Sequence, residues 1–209
     1  MDADVLIIGY GPTGATLAAR LGQLGVKTLV IDREHEIYPL PRAAHFDHEI
    51  MRVWQRLGIA DEIAPDTRPI GAYDFVNAAG QSLMRFESPI ETPSAWQASF
   101  MFHQPGIEQA LRRVVDKCQS VRVETGATFL DIRRNDGGGA VVSVMDGNGM
   151  REIEARYVVA CDGASSPVRK ALGVGQFDYG FDEPWLVVDV IVEGDDKKLP
   201  QIGLQYCVP

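Results

Sequence analysis

Asp4-Val5-Leu6-Ile7-Ile8-Gly9-Tyr10-Gly11-Pro12-Thr13-Gly14 carries an apolar run straight into G-x-G-x-x-G. The run suits a strand buried on both faces. Gly9 lets that strand turn sharply, Gly11 lets backbone N–H groups approach a pyrophosphate, and Gly14 lets the next helix pack closely on the strand. The helix is expected over about Pro12 to Leu24, apolar at Ala15, Leu17, Ala18 and Leu21 and closed by Gly25. Pro12 and Thr13 then lie in its first turn, and its positive end faces the phosphates. Glycine-rich turns are common, so the motif needs support. It comes from a second strand, Thr28 to Ile31, ending in Asp32 about 20 residues beyond the glycines, where a carboxylate accepts ribose hydroxyls. The reading is a dinucleotide site at the head of an α/β domain.

A chain of 209 residues is long enough for one well-buried domain, or for one domain and part of another. A net charge of -9 and a pI near 4.9 disfavour nucleic acid and anionic membrane as partners, and no basic run argues otherwise. Cys118, Cys161 and Cys207 lack C-x-x-C or zinc spacing, so they read as buried apolar fillers in a reducing compartment, with no metal site. The acidic N-terminus enters the first strand at once and no apolar stretch approaches membrane-spanning length, which leads to a cytoplasmic expectation.

Further along, Arg33 to Phe46 forms a long loop rich in His, Pro and Arg, of a length often tied to function. A helix from about Asp47 to Leu57 has Asp47 as N-cap, Gly58 at its end, and Ile50, Val53, Trp54 and Leu57 on its inward face. A hairpin around Asn77-Ala78-Ala79-Gly80 is expected within 72–86, then a helix from Pro105 that buries Ile107, Ala110, Leu111, Val114 and Val115. Next come a strand at Val121 to Glu124 and a β-meander over Thr128 to Arg134, Ala140 to Met145 and Arg151 to Glu154, crossing the parallel sheet. A separate buried strand, Tyr157 to Cys161, leads into Asp162-Gly163 and a short helix from about Ser166 to Leu172. The fold class is α/β: a Rossmann-like domain over residues 1–176, followed at 177–209 by the start of a second, substrate-binding sheet whose first strand is Trp185 to Val192.

The glycine loop alone does not separate FAD from NAD. Asp162-Gly163-Ala164-Ser165-Ser166-Pro167-Val168-Arg169, after a buried strand, resembles the Asp-Gly fingerprint of the class A flavoprotein aromatic hydroxylases. Arg42, Gln104 within His103-Gln104-Pro105-Gly106-Ile107-Glu108, and Glu183-Pro184-Trp185 fit the same family over nearly the whole chain. Within it the nearest resemblance is to the 3-(3-hydroxyphenyl)propionate hydroxylase type. The resemblance implies FAD as cofactor, with the pyrophosphate held by Gly9, Gly11, Pro12, Thr13 and Gly14 and the adenosine ribose by Asp32. It implies Arg33 on a flank of the adenine, Arg42 near the pyrophosphate and flavin edge, and Gln104 on the ribityl chain. Asp162-Gly163 would hold a mobile arginine or a cofactor hydroxyl, and Arg169 would anchor that loop.

The implied activity is NADH- or NADPH-dependent hydroxylation of an aromatic substrate by molecular oxygen, through a flavin C4a-hydroperoxide kept away from water. With one G-x-G-x-x-G in the chain, the nicotinamide would visit a surface groove. A homodimer is compatible with this picture. The family's later Gly-Asp motif lies outside these residues, so the expectation is the N-terminal FAD-binding part of such an enzyme. No protein acid or base is assigned: His45, His48 and His103 lack paired carboxylates at motif spacing, and Asp47 reads as a cap. Two other readings stay open, a catalytically silent flavin-binding fragment and a flavin-free NAD-dependent dehydrogenase.

Overall fold

The computed structural model describes residues 1–40, 42–182, 193 and 202–207. The elements are β1 Ala3–Ile8, α1 Pro12–Gln23, β2 Thr28–Asp32, β3 His45–Asp47, α2 His48–Leu57, α3 Ala60–Ile63, β4 Thr67–Pro69, β5 Ala72–Val76, β6 Ser82–Glu87 and β7 Ser99–Phe102. They continue with α4 Gln104–Asp116, β8 Val121–Thr125, β9 Thr128–Arg134, β10 Ala140–Asp146, β11 Gly149–Ala160, α5 Pro167–Ala171 and β12 Gly203–Tyr206.

Six strands form the main sheet in the order β8-β2-β1-β11-β10-β9. The first four run parallel, and β11, β10 and β9 continue antiparallel as the meander. β1 lies at the centre of the parallel part, with Leu6 and Ile7 wholly buried, because a parallel strand is covered on both faces. Its odd-numbered side chains, Val5 and Ile7, join Val30, Ala15, Ala18 and Ala19 of α1, and Ile107, Leu111 and Val115 of α4. Its even-numbered side chains, Leu6 and Ile8, share a second core with Leu29, Ile31 and the meander residues Phe129, Val142, Val144 and Ile153. The meander therefore shares a core with the face opposite α1 and α4. Two three-stranded sheets, β12-β5-β6 and β3-β7-β4, complete the architecture.

Three local expectations are corrected. Arg151 to Glu154 and Tyr157 to Cys161 are not separate strands: β11 is continuous, and Ala155 pairs with Ala140 on the antiparallel side and Ala3 on the parallel side. Nothing in Ala155-Arg156 breaks the chain, so one strand changes partners without a turn. In α2 the inward residues are Met51, Trp54 and Leu57, while Ile50 and Val53 are exposed; the helix is rotated so that the Trp54 ring packs on Phe46. Asp47 caps it as expected, accepting from Glu49 N and Ile50 N at 3.0 Å each. The cysteines are not all buried: Cys118 and Cys161 are half-buried and Cys207 is exposed at the end of β12.

The expected hairpin is present as β5 and β6, with Asn77 Oδ1 accepting from Ala79 N and Gln81 N across the turn. The strand expected at Trp185 to Val192 lies outside the described residues. β12 pairs in parallel with β5 and so extends the hairpin's sheet. Among the described residues no helix is long and apolar enough to cross a membrane, and no cluster of His, Cys, Asp and Glu could hold a metal ion.

Candidate functional site

The carboxyl ends of β2, β1 and β11 lie side by side, and the two sequence motifs meet there. Gly9 N donates to Ile31 O at 2.8 Å and Cys161 N donates to Ile8 O at 2.7 Å, which sets the glycine loop between Asp32 and Asp162. The three glycines do different work. Gly9 has φ +106°, and a Cβ there would meet Cys161 O at 2.3 Å. A Cβ on Gly14 would meet Gly9 O at 1.9 Å. These two close the loop onto β11 and α1. A Cβ on Gly11 would meet nothing within 4 Å, so its surface is open to an incoming group.

Open space at Gly11 coincides with the start of α1. This helix has Gly11 as N-cap, no side-chain cap and no acidic residue in its first turn. An uncapped N-terminus of this kind presents N–H groups and a positive dipole end, which suits a pyrophosphate. Asp32 closes one side. Its Oδ2 accepts from Tyr10 N and its Oδ1 from Glu34 N at 2.8 Å, so each oxygen keeps acceptor capacity for a hydroxyl while the carboxylate braces the loop.

Asp162 closes the other side and is turned toward α5. Ser166 Oγ donates to its carboxylate at 2.7 and 2.8 Å, and Val168 N donates to Oδ2 at 3.0 Å. Gly163 takes φ +83°, the left-handed conformation that glycine permits. Burial, with help from the neighbouring Asp162 charge, pushes the Cys161 thiol up from its ordinary range.

Residues matching the FAD binding domain family span positions 2–203. The chain belongs to that family, and FAD is its cofactor. It is 38% identical over 207 residues to a probable NADH-specific resorcinol 4-hydroxylase of Rhodococcus jostii, covering 99% of this chain and 39% of that protein. It is 34% identical over 209 residues to a 3-(3-hydroxy-phenyl)propionate/3-hydroxycinnamic acid hydroxylase of Comamonas testosteroni, covering 100% of this chain and 35% of that protein. The chain thus spans little more than a third of the length of these relatives. Among solved structures, aklavinone-11 hydroxylase in a ternary complex with FAD and aklavinone superposes with TM-score 0.70 at 27% identity, over 85% of this chain and 36% of that one. The p-nitrophenol 4-monooxygenase of Pseudomonas putida shares the fold with TM-score 0.74 at 22% identity, over 82% of this chain and 43% of that one.

In this FAD-binding domain the other expected site residues are distributed unevenly. Arg42 lies exposed on the long loop with its guanidinium 5.3 Å from the Tyr38 ring centroid. Gln104, the first residue of α4, is buried and reaches that loop: its Oε1 accepts from Arg42 N and Ala43 N, both at 2.9 Å. Arg33 is exposed and paired with Glu34 at 3.1 Å. Arg169 donates to Val174 O at 3.1 Å and so ties down the segment after α5 rather than the Asp-Gly turn.

Two of the histidines bond serine hydroxyls. His45 Nε2 meets Ser99 Oγ at 2.6 Å and His48 Nδ1 meets Ser94 Oγ at 3.0 Å. Two residues next to the site were not singled out from the sequence. Arg112 of α4 lies 4.5 Å from the Tyr10 ring centroid and donates to Tyr10 O at 3.5 Å, backing the glycine loop from behind. Burial pushes the Tyr10 hydroxyl well above its ordinary pKa, only partly offset by Arg112. The other is Glu108, which holds the Gln104 amide at 2.7 Å. Their signal in the sequence is Gln104, Glu108 and Arg112 at i, i+4 and i+8, a polar row that runs beside the apolar residues Ile107, Leu111 and Val115.

Proposed function

We propose that this chain supplies the FAD-binding part of an NADH- or NADPH-dependent monooxygenase that hydroxylates a phenolic substrate with molecular oxygen. The observation that carries the reading is the open surface of Gly11 at the uncapped start of α1, flanked by the Asp32 carboxylate and the Asp162-Gly163 turn. Support for the substrate class comes from the relatives, named as hydroxylases of resorcinol and of hydroxyphenylpropionate. FAD, when bound, supplies hydride acceptance from the nicotinamide and the activation of oxygen that a closed-shell phenol cannot achieve.

The chain's own residues do the holding. Gly9, Gly11, Pro12, Thr13 and Gly14 form the pyrophosphate cradle, and the spare lone pairs of Asp32 accept ribose hydroxyls. Arg42 offsets phosphate charge from the loop side of the site. Gln104 has spent both lone pairs of Oε1 on backbone amides and one Nε2 hydrogen on Glu108, so it offers a cofactor hydroxyl one N–H donor and no acceptor. Asp162 and Gly163 shape the turn beside the cradle. Arg33 flanking the adenine and Arg169 bracing the segment after α5 complete the assignment. Residues 1–176 form the FAD domain, and 177–209 begin the substrate side.

The test is oxidation of NADH and NADPH by the FAD-loaded protein with resorcinol and with 3-(3-hydroxyphenyl)propionate, reading the product by mass spectrometry under labelled oxygen. One labelled oxygen atom in the product supports the reading. Bound FAD with no hydroxylated product identifies a silent flavin-binding chain, and turnover of NAD without flavin identifies a dehydrogenase.

A further inference from the structure

Gln104 and Glu108 are both nearly inaccessible, at 4% and 2% exposure, and both carry polar groups that must be satisfied when buried. They satisfy each other and a loop. Gln104 Nε2 donates to Glu108 Oε1 at 2.7 Å, while Gln104 Oε1 takes two consecutive backbone amides, Arg42 N and Ala43 N, at 2.9 Å each. The orientation of the amide follows from this chemistry. Two N–H donors on one side need an oxygen, and a carboxylate on the other needs the NH2. A buried carboxylate is costly in a helix whose other inward residues are Ile107, Ala110, Leu111 and Val115, so its place there calls for a polar task.

We infer that Glu108 is a positioning residue for the cofactor site: by fixing the Gln104 amide it clamps the backbone at Arg42 and Ala43 and so sets where Arg42 and the remaining Gln104 N–H meet FAD. The inference rests on the FAD assignment above for its functional half and on the hydrogen bonds of Gln104 alone for its mechanical half. The loop from Arg33 to Ala44 has no helix or strand among its described residues to fix it. Among the described residues, the hydrogen bonds that tie it to neighbouring elements are Glu34 N to Asp32 Oδ1 at 2.8 Å at its start, the two amides on Gln104 in its later part, and Phe102 N to Ala44 O at 3.1 Å at its end. Losing the orientation of one side chain therefore releases the segment carrying Arg42. Met in place of Glu108 keeps length and fills the space without an acceptor, whereas Gln keeps an oxygen that Gln104 Nε2 can meet.

The experiment compares wild type, Glu108→Met and Glu108→Gln by amide hydrogen exchange without cofactor and by FAD titration. E108M is expected to bring the Arg42 and Ala43 amides to the rate of free loop residues while Leu111 and Val115 in α4 stay protected, and to weaken FAD binding about tenfold. E108Q is expected to restore protection and to bind FAD within about threefold of wild type. In wild type, one Gln104 side-chain hydrogen exchanges slowly and the other fast, a readout that does not depend on any variant folding. Two fast hydrogens overturn the clamp, as does E108Q behaving like E108M. Unchanged FAD affinity in E108M with a released loop overturns the functional half. If wild type binds no FAD, the FAD assignment fails, and the exchange data still decide the clamp.

Discussion

Gly14→Ala and Gly11→Ala separate a glycine the fold requires from one the ligand requires. At Gly14 the new methyl carbon would stand 1.9 Å from Gly9 O and 2.9 Å from Gly9 C, both backbone atoms of the loop that starts the site. Neither can swing away as a side-chain end can, so α1 or the loop must move by more than 1 Å. Overpacking of this kind costs about 3 kcal/mol at the upper end of its usual range, and the better helix propensity of alanine returns about 1 kcal/mol. A net loss of about 2 kcal/mol corresponds to a urea midpoint lowered by about 1 M.

At Gly11 the backbone has φ -73° and ψ -171°, which alanine adopts freely, and the methyl meets nothing within 4 Å. Losing glycine at an N-cap costs about 0.5–1 kcal/mol, and the reduced freedom of the unfolded chain offsets about half of that. The stability of G11A should therefore stay within about 0.5 kcal/mol of wild type. Its methyl occupies the surface a pyrophosphate must approach, so FAD affinity should fall at least about 30-fold, equivalent to about 2 kcal/mol. Urea denaturation and flavin-fluorescence titration measure the two effects. Wild-type affinity in G11A, or a wild-type midpoint in G14A, refutes the division of labour among the glycines.

Gln104→Glu would bring a second buried carboxylate against Glu108, now 2.7 Å from the amide nitrogen, and should cost at least about 3 kcal/mol near neutral pH. Repulsion raises the folded-state carboxyl pKa above the unfolded value, so the penalty grows as pH rises past about 4.3; urea midpoints should differ from wild type more at pH 8 than at pH 5. Asp32→Asn replaces an oxygen that faces Tyr10 N or Glu34 N by a donor and should weaken ADP binding about tenfold, measured by calorimetry. Because burial and Asp162 push the Cys161 thiol up, its thiolate is scarce at pH 8. A thiol reagent at that pH should label the exposed Cys207 first and Cys161 slowly, as peptide mapping by mass spectrometry would show; equal labelling would count against the buried environment.

What the sequence made legible was local. The spacing of Gly9, Gly11 and Gly14, the strand ending at Asp32 and the Asp162-Gly163 turn all depend on a few consecutive residues, and the structure brings them to neighbouring strand ends. Asp47 and the Asn77 turn were legible for the same reason, since a side chain bonding its own backbone two or three residues on needs no distant partner. The rotation of α2 was not, because Ile50 and Met51 both fit a helical stripe and only packing of Trp54 on Phe46 chooses between them. The unity of β11 escaped because its side-chain alternation gives way at Ala155, where the partner changes from β10 to β1.

The site shows the same division. Gln104 was legible through a family resemblance, but its bonds to Arg42 and Ala43 join residues about 60 positions apart, which no spacing along the chain reveals. Glu108 and Arg112 carry no motif of their own in the sequence. Their stripe turns inward because the Arg42 loop and Tyr10 pack over it.

The central claim, that the ADP half of FAD sits on the glycine loop, is tested most directly by FAD titration of the whole chain with ADP, riboflavin and NADH as competitors. The account expects saturable one-site FAD binding that ADP displaces and riboflavin at the same concentration does not. Absence of saturable binding, displacement by riboflavin alone, or NADH binding more tightly than FAD would contradict it.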